Sequence, residues 1–218
     1  MQYLALASDY DGTLATDGEV DEATLNALIR LRQSGKKLIL VTGRRISSLV
    51  EIFKPIDIFD RVVAENGALL YYPKSQQSQL LCEPPSVEFV DTLKNRGVEP
   101  LSMGEAIVAT WEPHEATVRK TIGEMNLPLQ IIANKRAIMV LPVGINKASG
   151  VKVAMKELNL PSERVVGVGD AENDLDLLHC CGLGVAVGNA LPEVKAKADW
   201  VTKGARGLGV QEAIERLF

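Results

Sequence analysis

The sequence predicts an α/β fold in which a core with a parallel sheet carries a small inserted α+β cap domain. At both ends of the chain, apolar runs of strand length alternate with amphipathic helical segments, which is the pattern of parallel strands joined by right-handed crossovers. Between residues 81 and 145 this alternation gives way to closely spaced strands and two helices. We therefore expect a core at residues 1–80 and 146–218 and a cap at residues 81–145.

The N-terminal segment begins with an apolar run at residues 3–7, which predicts a buried strand. Residues 21–33 space their leucines and isoleucine along one helical face, with Asp21 as the N-cap and Gly35 as the stop signal. The following segments predict a strand at 37–41, a helix at 46–53 and a strand at 61–64.

The middle section changes character near Pro73, and the stretch 74–79 is polar. Helices are predicted at 86–96 and from Pro113 to about 125, with a strand at 106–111. Strands at 129–133 and 137–141, joined by Asn134-Lys135-Arg136, predict an antiparallel hairpin. After residue 146 the alternation returns, with helices at 148–159, 173–180, 192–197 and 208–217 and strands at 164–168, 183–187 and 200–201.

Composition excludes several classes of protein. A formal net charge of -4 without a basic stripe argues against a nucleic-acid surface, and no apolar stretch is long enough to cross a bilayer. The three cysteines are Cys82 and the adjacent Cys180 and Cys181, a spacing that disfavours internal disulfides and fits no zinc site. Reduced thiols are expected, and with them a cytoplasmic location. The sequence does not indicate an oligomeric state.

Asp9 and Asp11 stand one residue apart at the end of the first predicted strand, directly before Gly12. Residues i and i+2 of a strand share a face, and open α/β sheets bind ligands at the carboxyl ends of their strands. Two carboxylates there suit Mg²⁺, and one could act as a nucleophile while the other donates a proton. The alternative is a solvated turn, because Asp and Gly both favour turns.

Further polar residues occur at later predicted strand ends or just before helices: Thr42, Gly43, Lys147, Asp170, Asn173 and Asp174. The threonine hydroxyl and the glycine amide at a helix N-terminus suit a phosphate, and the lysine and asparagine can donate to its oxygens. The added aspartates make a cluster that a divalent cation would neutralise. Each residue alone has a structural explanation, as a turn, a helix cap or a solvated lysine. Together they indicate phosphoryl transfer.

The order of these segments resembles that of phosphatases of the haloacid-dehalogenase (HAD) superfamily. Residues 9–13 (DYDGT), 42–44 (TGR), Lys147 and 169–174 (GDAEND) resemble that family's four motifs, and 65–68 (ENGA) resembles a signature of its Cof-type branch. The cap lies between the second and third motifs, as in that branch. Its size is closer to that in archaeal-type phosphoglycolate phosphatases and sucrose-phosphate-phosphatase-like members. The resemblance implies a Rossmann-like core.

The resemblance also implies catalytic roles. Asp9 would attack phosphorus and form an aspartyl-phosphate, and Asp11 would protonate the leaving alcohol and then activate water. The groups that would hold the phosphoryl oxygens belong to Thr42, Gly43, Lys147 and Asn173. The groups that would hold Mg²⁺ are the carboxylates of Asp9, Asp170 and Asp174 and the backbone carbonyl of Asp11.

The implied activity is hydrolysis of a small phosphorylated metabolite, phosphoglycolate or a sugar phosphate. Members that keep a long-lived aspartyl-phosphate, such as the transport ATPases, lack a carboxylate at the position of Asp11. Its presence favours a phosphatase or a phosphomutase. A phosphomutase and a catalytically silent binding module are the alternatives.

Some residues outside the four motifs also bear on the site. Asn66 either lines the pocket or forms an Asn-Gly turn. Trp111 and Trp200 are expected to pack in the core or at a sheet edge. Arg136, in the predicted hairpin turn, could meet an anionic end of the substrate.

Overall fold

The N-terminal residues form five strands and two helices of the core. In the computed structural model, which describes residues 2–134 and 136–218, β1 extends two residues beyond the apolar run because it pairs with a neighbouring strand as far as Asp9. The elements are β1 (Ala5–Asp9), α1 (Glu22–Gln33), β2 (Lys37–Val41), α2 (Ile46–Ile52), β3 (Arg61–Ala64), β4 (Leu69–Tyr72) and β5 (Gln77–Leu80).

The middle of the chain forms a separate antiparallel sheet with two helices against it. Its elements are α3 (Val87–Asn95), β6 (Ser102–Met103), β7 (Val108–Trp111), α4 (Glu115–Glu124), β8 (Leu129–Asn134) and β9 (Ala137–Pro142). The strand order is β6-β7-β9-β8, and the predicted hairpin of β8 and β9 is confirmed. Lys135, in the predicted turn of that hairpin, lies outside the described residues. Phe89, Leu93 and Val118 from the helices pack on Val108 and Val140 of the sheet.

The C-terminal residues return to the core. Their elements are α5 (Lys147–Glu157), β10 (Val165–Gly169), α6 (Leu175–Cys180), β11 (Leu183–Ala186), α7 (Pro192–Lys197), β12 (Trp200–Val201) and α8 (Gly207–Leu217). A short 3-10 turn, Glu172–Asp174, precedes α6, so the helix begins two residues later than the predicted start at residue 173.

The core sheet has eight strands in the order β12-β11-β10-β1-β2-β3-β4-β5. Every neighbouring pair from β12 to β3 is parallel. Side chains alternate between the two faces, so that Leu38 and Leu40 of β2 lie in the cluster covered by α1 and α8, while Ile39 and Val41 lie in the cluster covered by α5. The predicted α/β class is confirmed.

The edge of this sheet differs from the prediction. β4 and β5 continue it as an antiparallel hairpin, and β5 is exposed at every residue. An edge strand without a buried face has no reason to alternate polar and apolar residues, so the sequence carries no strand signal there. The strands of the second sheet lie within residues 81–145, and the domain boundaries at 80/81 and 145/146 stay a prediction. Among the described residues no helix is both long enough and apolar enough to cross a membrane.

Candidate active site

Four charged side chains are buried together at the carboxyl end of the parallel strands. Asp9 ends β1, Asp170 follows β10, Lys147 begins α5 and Asp174 ends the 3-10 turn, and each is at most 4% exposed. The Lys147 Nζ donates to Asp9 Oδ1 and to Asp174 Oδ1, both at 2.6 Å. Residues separated by up to 165 positions in the sequence therefore form one charged cluster, because β1 lies between β10 and β2.

The loop after β10 fixes the carboxylate of Asp174. Its Oδ2 accepts hydrogen bonds from the backbone N–H groups of Asp170 at 2.9 Å and Ala171 at 3.0 Å. The Thr13 hydroxyl donates to Asp170 Oδ1 at 3.1 Å. Gly12 has a φ of +87°, and a Cβ there would lie 2.6 Å from Asp170 Oδ2. This position therefore requires glycine both for its backbone conformation and for the close approach of the carboxylate.

Burial and like charges shift the titration of this cluster. Burial, followed by the charge of Asp174, raises the pKa of Asp9 well above its ordinary value, although Lys147 opposes the shift. Burial opposes the charge of Lys147, but Asp174 and Asp9 outweigh it and raise the pKa of that lysine. The lysine therefore stays protonated and compensates part of the negative charge.

The same carboxylates could hold a divalent cation. Asp9, Asp170 and Asp174 each offer an oxygen, and these oxygens all lie within 4.8 Å of one another. Hard oxygen donors of this kind fit Mg²⁺. The carboxylate of Asp11 is engaged elsewhere, and the role that the family resemblance implies for it in metal binding concerns its backbone carbonyl.

Asp11 is held by Arg44, which the sequence analysis placed in a motif without giving it a role. Arg44 Nε donates to Asp11 Oδ2 at 2.6 Å and Nη2 donates to Oδ1 at 2.7 Å, a bidentate geometry. Thr42, fully buried directly after β2, accepts a hydrogen bond at its hydroxyl from the Arg44 backbone N–H at 3.0 Å. The loop after β2 therefore positions both the threonine and the carboxylate of Asp11.

Asn66 links the phosphate-binding candidates to the cap. It is fully buried, its Oδ1 accepts from Asn173 Nδ2 at 3.0 Å, and its Nδ2 donates to the sulfur of Met139 in β9 at 2.8 Å. A Cβ on Gly43 would lie 3.4 Å from the Asn66 amide. Asn66 also lines a pocket that includes Lys147 and Asn173, and it forms part of the turn Glu65–Gly67, so the two sequence interpretations do not exclude each other.

A cavity of about 460 Å³ lies between the core and the cap. The core residues that line it are Asp9, Asp11, Gly43, Arg44, Lys147, Ala171, Asn173 and Asp174, and the cap residues are Trp111, Asn134, Ala137 and Met139. The prediction that Trp111 packs in the core or at a sheet edge was wrong, because its side chain is 54% exposed at this cavity. Trp200 does lie in an edge strand, with the Arg216 guanidinium 4.6 Å from its ring.

The family model described as haloacid dehalogenase-like hydrolase matches residues 6–125 and 112–214 of the chain. The chain belongs to this family. The resemblance of the four motifs is thereby confirmed, and with it the expectation of a hydrolase. The roles of individual residues stay predictions.

Relatives of this HAD-family chain match along its whole length. Phosphoglycolate phosphatase 2 of Saccharolobus solfataricus is 30% identical over 230 residues, which cover 99% of this chain and 92% of the relative. The phosphoglycolate phosphatase of Methanothermobacter thermautotrophicus is 29% identical over 223 residues and 98% of both chains. A crystal structure of a haloacid dehalogenase-like hydrolase from Bacteroides thetaiotaomicron covers 100% of both chains with a TM-score of 0.83 at 22% identity. The structural likeness confirms the Rossmann-like fold.

Proposed function

We propose that this protein is a Mg²⁺-dependent phosphatase that hydrolyses a small phosphorylated metabolite, phosphoglycolate or a sugar phosphate, through an aspartyl-phosphate on Asp9. The observation that carries the proposal is the buried cluster in which Lys147 contacts both Asp9 and Asp174 at 2.6 Å beside Asp170. The names of the relatives support a phosphatase acting on a small substrate.

In this proposal the phosphoryl group binds next to Asp9, the nucleophile. The Thr42 hydroxyl, the Gly43 amide, the Lys147 ammonium and the Asn173 amide would hold its oxygens. Bound Mg²⁺, held by Asp9, Asp170, Asp174 and the Asp11 carbonyl, would supply positive charge against the carboxylates and the phosphoryl oxygens. Phosphoryl transfer depends mainly on such positioning and charge neutralisation.

The roles that the family resemblance implies for Asp9 and Asp11 give two chemical steps. In the first, an Asp9 carboxylate oxygen attacks phosphorus, the bond from phosphorus to the leaving oxygen breaks, and Asp11 donates a proton to that oxygen. In the second, Asp11 takes a proton from water, the water oxygen attacks phosphorus, and the bond from phosphorus to the Asp9 oxygen breaks, which releases inorganic phosphate and restores the Asp9 carboxylate. In the structure Arg44 donates to both carboxylate oxygens of Asp11, so one of these hydrogen bonds has to open before Asp11 carries and donates a proton.

The cap would close the site and contact the leaving group. Trp111, Asn134, Ala137 and Met139 line the cavity opposite the carboxylates. A closed cavity excludes bulk water and strengthens the electrostatic interactions within it. Whether Arg136, exposed in the β8–β9 turn, meets an anionic end of the substrate stays a prediction, as does the cytoplasmic location.

Phosphate release from phosphoglycolate and a panel of sugar phosphates tests the proposal. We expect release with Mg²⁺, none with a chelator in place of Mg²⁺, and a loss of about 1,000-fold or more in Asp9→Asn. Asp17→Asn, a matched change at an exposed position of the same loop, is expected to keep the wild-type rate. A phosphomutase would return the phosphoryl group to a sugar instead of releasing it. Wild-type protein that releases no phosphate, or Asp9→Asn with full activity, would refute the proposal.

A further inference from the structure

Glu65 is a core residue whose carboxylate is bound by the backbone of the cap. The residue directly follows β3 and is 1% exposed. Its Oε1 accepts from the Glu105 N–H at 2.9 Å, and its Oε2 accepts from the N–H groups of Ala106 at 2.8 Å and Ile107 at 2.9 Å. Hydrogen bonds from backbone amides to an ionised carboxylate are stronger than neutral ones. These contacts anchor the chain just before β7.

The backbone around Glu65 is held in an unusual conformation. Glu65, Asn66 and Gly67 have φ values of 51°, 53° and 101° in succession. A non-glycine residue in the left-handed region costs roughly 1 kcal/mol and persists where the surroundings fix it. As a result, the two neighbouring side chains make different contacts. Glu65 binds backbone amides of the cap, whereas Asn66 binds Asn173 of the core and Met139 of the cap.

The junction on both sides of this turn is closely packed. A Cβ on Gly104 would lie 2.3 Å from Glu65 Oε1, and a Cβ on Gly67 would lie 1.9 Å from the backbone oxygen of Asn146. Gly104 precedes the amides that Glu65 binds, and Asn146 precedes Lys147 at the return to the core. The turn at Glu65–Gly67 therefore packs against the segment before β7 and against the segment that leads back to the core. This close packing restricts movement of the cap relative to the core.

We propose that Glu65 is a positioning residue that sets the cap over the catalytic cluster, and that Asn66 couples this position to the phosphate seat. The inference rests on the proposed function. Glu65 holds residues 105–107, β7 follows at once and brings Trp111 to the cavity, and the neighbouring β9 brings Met139 onto Asn66. Neither residue touches the reacting atoms in this scheme. Loss of Glu65 would misplace the cap wall while leaving the carboxylates, Lys147 and Thr42 in place.

The test separates substrates that reach the cap from one that does not. Glu65→Ala is compared with wild type on a hexose 6-phosphate, whose leaving group extends into the cavity, and on acetyl phosphate, whose leaving group is small. We expect kcat/KM for the hexose phosphate to fall by about tenfold to 100-fold, the cost of misplacing a substrate by about 1 Å, while kcat/KM for acetyl phosphate stays within about threefold. Glu65→Gln, which keeps one acceptor oxygen, is expected to fall between wild type and Glu65→Ala.

A second readout follows the anchoring itself. Amide hydrogen exchange at residues 105–107 should be faster in Glu65→Ala than in wild type, while exchange in β1 and β2 stays unchanged. Glu105→Gln alters an exposed carboxylate beside the same amides and serves as the matched control. Gly104→Ala places a methyl group against the Glu65 carboxylate and so disturbs its contact with the cap amides from the cap side. If Glu65→Ala does not fold, Gly104→Ala is used in its place in both measurements.

Two results would overturn the inference: equal losses for both substrates, or unchanged exchange at residues 105–107 in the absence of Glu65. Failure of the proposed function looks different, because wild-type protein would then release phosphate from neither substrate while the exchange comparison still reports on the anchor.

Discussion

At the residue scale, the positive charge of Lys147 compensates part of the negative charge of the buried carboxylates in the site. It is 2% exposed and contacts two carboxylates that are themselves buried. Breaking a buried ion pair by removing one partner is far more costly than the net value of the pair, because the remaining charge is left uncompensated. Here the charges left behind would be those of Asp9 and Asp174.

Replacement of Lys147 by methionine should therefore destabilise the protein in a way that depends on the metal. We expect Lys147→Met to lose about 3 kcal/mol of unfolding free energy in metal-free solution and to recover part of it with Mg²⁺, which would bind the folded state alone. Urea unfolding with and without Mg²⁺ measures both. Lys36→Met is the matched control, because Lys36 is also buried but donates to a backbone carbonyl, that of Tyr3. Equal midpoints for Lys147→Met and wild type without metal would contradict this account.

The positions of site residues could be predicted where the sequence order itself carries the signal, while their roles stay predictions. Asp9, Thr42 and Asp170 each follow an apolar strand, so their convergence follows from a parallel sheet alone. Glu65 also follows an apolar strand and belongs to the 65–68 signature, but its contact with the cap was not predicted, because its partners are backbone amides about 40 positions away. For Trp111, the burial of Val108 and Thr110 on alternate positions of β7 places the indole on the opposite face. Which face meets the core depends on how the cap docks, and one sequence does not contain that information.

At the scale of an element, helix α1 begins directly after Asp21, the N-cap that the sequence predicted. Asp21 is the N-cap, its Oδ1 accepts from the Thr24 N–H at 2.8 Å, and its Oδ2 accepts from the Thr24 hydroxyl at 2.7 Å. Partial burial would raise the pKa of Asp21, but the hydrogen bonds from Thr24 outweigh it and lower that pKa below the ordinary value of 3.8. The ionised carboxylate therefore stabilises the helix.

This cap predicts a pH-dependent loss of stability. A carboxylate with a lowered folded-state pKa contributes stability above its unfolded pKa and loses it as the pH falls through the folded one. We expect Asp21→Ala to be about 1 kcal/mol less stable than wild type at pH 7, with the difference shrinking as the pH falls below about 4. Asp21→Asn retains an acceptor oxygen without a charge that titrates, so it should lie close to wild type at pH 7. Thermal unfolding across this pH range measures the effect, and a constant gap for Asp21→Ala down to pH 3 would disprove it.

Among the other elements, some were predicted at their observed bounds and others were missed or misplaced. β2, β3 and β12 were predicted at their observed bounds, since the first two are buried central strands with continuous apolar runs and the third is a short run between clear breaks. β5 escaped prediction because its pairing with β4 is made by the backbone and its side chains stay exposed. The helix predicted from residue 173 begins only at Leu175, because Asp174 Oδ2 accepts from two backbone amides and holds the preceding turn in a 3-10 conformation.

At the scale of the whole molecule, the site exists because both ends of the chain contribute to one sheet. β1 pairs with β2 on one side and with β10 on the other, so Asp9, Thr42 and Asp170 lie at the carboxyl ends of three neighbouring strands. The cap then supplies the opposite wall, held at Glu65 and contacting Asn66 through Met139. The alternation of strands and helices predicted a parallel sheet made from both ends of the chain, but it did not predict the strand order. The docking of the cap likewise depends on contacts that have no periodic pattern in the sequence.

Direct observation of the phosphorylated enzyme tests the central claim. That claim is that the site at the carboxyl ends of the parallel strands transfers a phosphoryl group from the substrate to Asp9. In Asp11→Asn the water that completes the reaction would lack its base, so an intermediate formed on Asp9 should accumulate after mixing with acetyl phosphate, whose acetate leaving group needs no proton from Asp11. Acid quenching and mass spectrometry of the peptide that carries residue 9 should show the mass of one added phosphoryl group, absent in Asp9→Asn. Phosphate release by wild type with no phosphorylated peptide in any quenched sample of Asp11→Asn, or a phosphoryl group located on another residue, would contradict the account.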